Sequence, residues 1–234
     1  MLNVDSVGND MTRISARGLC ILAVVLLFIS VQKTAADTQE RCHEAARAKS
    51  TDLHWKLYTD KERGFELLYP DSLLIVSKRG TTVTFRHSIP FEHTDPCDFD
   101  DDASSLNELV DFDVTVRLWR EGLGETVRLT STGLVISRFL RDDTLKVEKG
   151  FIDRVSIGSL EGFCITSGVE GCGMDDYYFP VNGEITLHVE RKHITEFRPI
   201  LRNYREYLSL PGIINPEREA EIFERMFCTF RVLE

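Results

Sequence analysis

The sequence predicts an α+β protein, built around a mainly antiparallel, twisted β-sheet that is flanked by helices. Several segments alternate apolar with polar residues, which is the pattern of strands that bury one face. The pair Asn182-Gly183 lies between two such segments and favours a tight hairpin, because both residues tolerate positive φ. Strands joined by hairpins, with few helices beside them, indicate an antiparallel sheet.

The predicted strands share this alternation and end at glycine, proline or polar turn residues. In chain order they cover residues 55–58, 65–69, 83–87, 112–118, 155–158, 163–167, 177–181, 185–189 and 229–233. Residues 89–105 are predicted to form a long loop, with one helical turn over 106–110 after it. Residues 122–149 and 199–210 carry mixed signals of helix and strand.

A helix is predicted near the C-terminus. Asn215-Pro216-Glu217 is typical of a helix start, because it supplies an Asx cap, a proline at the first position and an acid in the first turn. The apolar stripe of this helix needs a sheet to pack on; it consists of Ile222, Phe223, Met226 and Phe227.

The N-terminus has the three parts of a secretory signal. Arg13 and Arg17 precede the apolar residues 19–31, and the small residues of 34–36 precede a cut before Asp37. Thirteen helical residues rise about 20 Å, short of the roughly 30 Å hydrocarbon core of a bilayer. We therefore expect cleavage and a periplasmic or secreted protein in a bacterium, with an uncleaved membrane anchor as the alternative.

The domain organisation follows from this segment. Residues 1–36 form the signal peptide, of which 1–10 is a candidate non-native extension because Met11 is the better-placed start. Residues 37–54 are a polar lead-in, read as a short helix or loop. Residues 55–234 form one domain, since no linker rich in glycine, serine or proline divides them.

Composition and charge exclude several classes. The chain has 234 residues, of which 42% are hydrophobic and 28% charged, values of an ordinary globular protein. The formal net charge of −10 opposes binding to nucleic acid or to an anionic membrane surface.

Three short segments resemble those of PsbP-like domains. Tyr58-Thr59-Asp60, followed by Gly64-Phe65 and Tyr69-Pro70, is similar to the family's opening strands. Residues 157–162 resemble an internal hairpin of the family, and residues 222–232 resemble its closing helix and strand, with Cys228 in place of the usual serine.

The resemblance covers about residues 55–233, and it implies an α/β/α sandwich around a twisted antiparallel sheet. The family includes an extrinsic protein of photosystem II and a Ran-binding protein, but neither role carries over, because no plant transit peptide is present. The family has no shared catalytic motif, so the resemblance transfers no site residue to this chain and weighs against an enzyme.

An acidic segment is the candidate metal site. Residues 93–102 could place several oxygens around Ca²⁺, a cation that takes six to eight oxygen ligands. The candidate ligands are Asp95, Asp98, Asp100 and Asp102. Counted from Asp98, the expected glycine and glutamate of a calcium loop are replaced by Ala103 and Leu109, so a solvated acidic loop is the alternative reading.

The cysteines are candidates for disulfides or a reactive thiol. Cys97, Cys164 and Cys172 stand out, and a hairpin could bring Cys164 within reach of Cys172. Cys172 is also a candidate nucleophile because it lies between glycines. Cys228 follows an apolar helix face and is expected to be a buried free thiol.

The histidines indicate structural roles. His87 is in phase with apolar residues, which predicts a core histidine held by a hydrogen bond. His188 and His193 should point to opposite faces of one strand, a spacing that does not favour one metal site.

Together these features predict an exported, non-catalytic interaction or assembly module that acts on a protein partner in the bacterial envelope. One alternative is divalent-cation or small-ligand binding through residues 93–102, and another is a thiol-dependent hydrolase or redox protein. No cofactor, no nucleic-acid partner and no stable membrane insertion after signal cleavage are expected.

Overall fold

The computed structural model describes residues 53–94, 105–169, 172–193 and 207–233. Its strands are β1 (Trp55–Asp60), β2 (Phe65–Pro70), β3 (Ile75–Arg79), β4 (Thr82–Thr94), β5 (Ser105–Trp119), β6 (Leu140–Arg141), β7 (Thr144–Leu145), β8 (Ile152–Ile157), β9 (Leu160–Val169), β10 (Cys172–Pro180), β11 (Thr186–Lys192) and β12 (Arg231–Val232). Its helices are α1 (Leu123–Thr130), α2 (Gly133–Phe139) and α3 (Pro216–Cys228). The predicted signal peptide and residues 37–52 of the lead-in lie outside the described residues.

The described strands form antiparallel sheets, which confirms the predicted α+β class. Seven strands pair in the order β3-β4-β5-β11-β10-β9-β8, and three pair in the order β1-β2-β12. Strands β6 and β7 form a separate small hairpin. A hairpin joins β10 to β11 around Asn182-Gly183, but it is not the tight turn predicted: Pro180 pairs with Thr186, which leaves a five-residue loop, and neither Asn182 nor Gly183 has a positive φ. Gly64, with φ of +79°, ends the turn between β1 and β2.

The seven-stranded sheet packs on both of its faces. On one face, the three-stranded sheet and α3 enclose a core that includes Phe65, Phe85 and Phe223. On the other face, α1 and α2 cover the end formed by β8, β9 and β10, with Val127 and Val135 packed on Ile165 and Tyr178. Each fully buried apolar side chain contributes about 1.5–3 kcal/mol, so these two clusters hold the helices to the sheet.

Helix α3 begins as the sequence predicts. The Asn215 side chain accepts a hydrogen bond of 2.8 Å from the backbone N–H of Arg218, and Pro216 occupies the first turn. The predicted apolar stripe is buried against the sheet, with every member no more than 3% exposed: Ile222, Phe223, Met226 and Phe227. The Arg191 guanidinium of β11 also binds the Glu219 carboxylate, so a buried ion pair fixes the helix over the sheet.

Strands β4 and β5 are longer than predicted, so the loop over 89–94 and the helical turn over 106–110 are wrong. Their pairing continues through Pro90 opposite Glu108 to Thr94 opposite Ser105. The register shifts twice along β4, after His87 and again after Pro90. Each irregularity changes the face to which the following residues point, and this hides the alternation that marks a strand.

The ambiguous region 122–149 contains both helices and a hairpin. It forms α1, α2 and the β6–β7 hairpin, whose turn residues Asp142 and Asp143 have φ of +46° and +59°. Aspartate is among the few residues that adopt this left-handed conformation readily. Among the described residues, no helix has both the length and the apolar character to cross a membrane.

Candidate functional site

The hairpin of β10 and β11 brings two acidic residues and a histidine to one face of the seven-stranded sheet. Asp176 lies opposite Glu190, and Tyr178 lies opposite His188. Because side chains alternate along a strand, these four residues share one face. We call Asp176, His188 and Glu190 the acidic–histidine cluster.

The side chains of the cluster converge at their polar ends. The Asp176 Oδ1 atom lies 3.0 Å from the His188 Nε2 atom. One carboxylate oxygen of Asp176, one of Glu190 and a ring nitrogen of His188 all lie within 4.8 Å of one another. His188 is 3% exposed, whereas Asp176 and Glu190 are half-buried, so the cluster has a buried base and a more accessible rim.

The charge of Glu190 is not balanced within the described part of the chain. Its carboxylate has neither a hydrogen bond nor an ion pair there, although it lies directly across from the Asp176 carboxylate. The cations of this face are engaged elsewhere: Lys192 Nζ lies 3.0 Å from Asp113, and the Arg117 guanidinium lies 3.3 Å from the ring centre of Trp119. Like charges directly opposite each other destabilise a sheet, so the cluster carries an unfavourable electrostatic interaction.

The Tyr178 ring stacks on the His188 ring and fixes its orientation. The two rings stack with their centres 4.7 Å apart and their planes 16° from parallel. The Tyr178 hydroxyl lies 2.9 Å from the side-chain oxygens of both Thr130 and Ser131, at the C-terminal end of α1. Burial raises the pKa of the Tyr178 phenol to about 12, so the hydroxyl stays protonated and its ring stays in place.

Two buried polar atoms on the same face as the cluster have no hydrogen-bond partner among the described residues. Thr186 is the next residue on the same face of β11 before His188, and its hydroxyl oxygen is fully buried and unpartnered. Trp119, directly opposite Thr186 on β5, has an unpartnered indole N–H. Buried polar groups of this kind are rare in folded proteins, and they suggest that this strip of the sheet is built to be met by another polar group.

The remaining described histidines have structural partners. The His87 Nδ1 atom lies 2.5 Å from the Asp111 Oδ1 atom, which confirms the predicted hydrogen bond, although His87 is half-buried and not a core residue. The His193 Nε2 atom lies 2.9 Å from the Asp175 Oδ1 atom. Since Asp175 and Asp176 point to opposite faces of β10, His193 and His188 also do, as predicted.

Cys164 is a buried free cysteine rather than a disulfide partner of Cys172. The hairpin between them exists, but its turn places Cys172 opposite Val169 and Cys164 opposite Tyr177. The two cysteines are therefore separated by about 17 Å along the ladder, since strands rise about 3.3 Å per residue. The predicted proximity is wrong because the turn lies close to Cys172 rather than midway.

The thiols do not form a nucleophilic centre in the described part of the chain. Burial, followed by the nearby charge of Asp175, raises the pKa of the Cys164 thiol to about 12, so the thiolate is scarce at neutral pH. Cys172 and Cys228 are not free thiols, which also corrects the expectation for Cys228. Cys97 lies outside the described residues.

Residues 93 and 94 are the described part of the predicted calcium segment. Asp95, Asp98, Asp100 and Asp102 lie outside the described residues, and only the first part of that segment is described. There, the His93 Nδ1 atom lies 3.2 Å from the carbonyl oxygen of Phe91.

A crevice at the start of α1 is the other concave feature that we considered. It has a volume of about 500 Å³ and is lined in part by Gly122, Gly124 and Asn182. Its cation, Arg128, already binds Asp143 at 2.7 Å and Glu125 at 3.3 Å. With its positive charge neutralised by two acids, this crevice offers less to a ligand than the cluster does.

Comparisons with known proteins assign no family. No protein-family model matches this chain, and no curated protein matches it. A chain in a crystal structure from Bacteroides thetaiotaomicron VPI-5482 is 12% identical and superposes with a TM-score of 0.35. The match covers 73% of this chain and 45% of that chain, so this chain spans less than half the length of that neighbour.

The sequence analysis missed Asp176 and Glu190. Both acids directly flank the predicted strands, Asp176 before residues 177–181 and Glu190 after residues 185–189. A two-residue turn at Asn182-Gly183 pairs Asp176 with Val189, whereas the observed register, with Pro180 opposite Thr186, pairs Asp176 with Glu190.

Proposed function

We propose that this chain is an exported, non-catalytic binding module of the PsbP-like kind, whose binding site is the acidic–histidine cluster. The observation that carries this proposal is the unpartnered Glu190 carboxylate directly across from Asp176. A sheet that served only stability would place a cation or a neutral residue there. Binding sites, in contrast, often retain groups that lower the stability of the free protein.

The thiols favour a binding role over thiol catalysis. A thiol nucleophile must ionise near neutral pH and must be reachable. Cys164 is 7% exposed, and burial raises its pKa to about 12, while Cys172 is not free.

The family and compartment parts of the proposal rest on separate observations. The segments that resemble the family's opening and closing pair with each other, since Arg231 and Val232 of β12 lie opposite Glu66 and Phe65 of β2. Export is supported by the basic, apolar and small-residue parts of 1–36. In the envelope, the module would meet its ligand or protein partner on the cluster face.

The substitution Glu190→Gln tests the binding role without knowledge of the ligand. It keeps the shape of the side chain and removes the repulsion with Asp176, so the free energy of unfolding should rise by about 0.2–1 kcal/mol in the ligand-free protein. Urea unfolding of EDTA-treated protein at low salt measures this change.

Glu219→Gln is the matched control. Glu219 is a buried glutamate whose carboxylate binds Arg191, so its replacement should destabilise the protein. If Glu190→Gln also lowers the free energy of unfolding, the Glu190 carboxylate stabilises the fold and the proposed binding site is wrong.

A further inference from the structure

Building on the proposed function, we propose that the acidic–histidine cluster binds one divalent transition-metal ion of the Zn²⁺ class. The ligands would be a carboxylate oxygen of Asp176, the Nε2 atom of His188 and a carboxylate oxygen of Glu190. This site is distinct from the acidic segment 93–102 in the sequence and in its donor atoms.

The donor set selects the class of metal. One imidazole nitrogen with two carboxylate oxygens suits Zn²⁺ and its transition-metal neighbours, because imidazole is a good ligand for these ions. Ca²⁺ and Mg²⁺ prefer sites made of oxygen alone, and Ca²⁺ takes six to eight of them. Three protein ligands leave coordination positions for water or for a ligand of the metal.

The geometry needs little adjustment. In a tetrahedral Zn²⁺ site with bonds of about 2.0–2.2 Å, the ligand atoms lie about 3.4 Å apart. The pair Asp176 Oδ1 and His188 Nε2 is already at 3.0 Å, and all three ligand atoms lie within 4.8 Å of one another. Rotation of the Glu190 side chain would bring its carboxylate oxygen to this distance from the other two ligand atoms. The strand backbones and the buried His188 ring would not need to move.

Electrostatics favours a cation at this position. Asp176 and Glu190 oppose each other across the strand pair, and Lys192 and Arg117 are engaged with Asp113 and Trp119. A divalent cation between the carboxylates converts their repulsion into attraction.

The second layer of the site is also present. Tyr178 stacks on the His188 ring and is held by Thr130 and Ser131, so the imidazole is fixed before any metal arrives.

Calorimetric titration with Zn²⁺ tests this inference on purified, untagged protein after removal of metals with EDTA. We expect one Zn²⁺ per chain at micromolar affinity or tighter. Glu190→Gln and His188→Gln should each weaken binding by at least about tenfold. Glu190→Gln keeps the test valid if the buried His188 variant fails to fold.

His193→Gln is the matched control, because it removes a histidine just after the end of β11 that pairs with Asp175, the neighbour of Asp176 that points to the opposite face. Its Zn²⁺ affinity should equal that of the wild type. Unchanged affinity in Glu190→Gln, or no Zn²⁺ binding to the wild type, would overturn the inference. If Zn²⁺ fails to bind while Glu190→Gln still stabilises the free protein, the binding role stands and only the metal is wrong.

Discussion

Asp60 is a buried carboxylate on which the turn after β1 depends. It is 3% exposed and accepts hydrogen bonds from the Tyr58 hydroxyl at 2.8 Å, from the backbone N–H of Arg63 at 3.0 Å and from the Arg63 guanidinium at 2.9 Å. Lys78 of β3 lies 3.0 Å away and connects the small sheet to the edge of the large one. Although burial opposes the ionised form, these bonds hold the pKa of Asp60 well below its ordinary value.

The substitution Asp60→Asn removes the charge and keeps the shape. Hydrogen bonds to a charged group contribute about 1.5–3 kcal/mol each, against about 0.5–1.5 kcal/mol for neutral ones. Two of these partners, Arg63 and Lys78, are cations. Because Lys78 is half-exposed, its ion pair with Asp60 contributes less to the free energy of unfolding than that of Arg63. The free energy of unfolding at pH 7 should therefore fall by about 2–3 kcal/mol.

The pH dependence separates charge from shape. Because the folded pKa of Asp60 lies below its unfolded value of about 3.9, its contribution is complete above about pH 4 and is lost as the pH falls further. Urea unfolding at pH 7 and near pH 3 should show the gap between wild type and Asp60→Asn shrinking at the lower pH. A gap of equal size at both values would refute a role for the charge.

A control removes a carboxylate from the surface. Glu221 pairs with Arg218 at 2.9 Å on the exposed side of α3, and Glu221→Gln should change the free energy of unfolding by less than about 0.5 kcal/mol.

Three further predictions concern the two cores of the protein. Tyr178→Phe deletes the hydroxyl that bonds Thr130 and Ser131 and should lower the free energy of unfolding by about 1–3 kcal/mol; an unchanged urea midpoint would contradict this. Cys164 should resist a thiol reagent in the native protein and react once urea unfolds it; rapid native labelling, mapped by mass spectrometry, would show that its burial is wrong. Phe227→Ala should destabilise the protein by about 3–5 kcal/mol in urea unfolding, and a loss below about 1 kcal/mol would mean that α3 is not packed as described.

The fold class could be predicted because alternation and turn residues act locally. The strands at 65–69, 112–118 and 185–189 each show period-two patterns, and Asn215-Pro216 marks α3 unambiguously. The extension of β4 and β5 could not be predicted, because the register shifts near His87 and Pro90 are set by pairing between strands.

The candidate site depends on how β10 and β11 pair, so only one of its three residues could be identified from the sequence. His188 was identified, but its significance comes from Asp176 and Glu190, which become neighbours only when β10 and β11 pair. The predicted proximity of Cys164 and Cys172 was wrong for the same reason. The position of the turn between β9 and β10 decides which residues face each other, and it places Cys172 opposite Val169.

Anomalous diffraction from crystals grown with Zn²⁺, collected at the zinc absorption edge, tests the proposed site most directly. We expect one strong peak about 2.0–2.2 Å from the His188 Nε2 atom and from a carboxylate oxygen of both Asp176 and Glu190. A zinc peak elsewhere on the chain, with His188 still hydrogen-bonded to Asp176, would contradict the assignment of this cluster as the binding site.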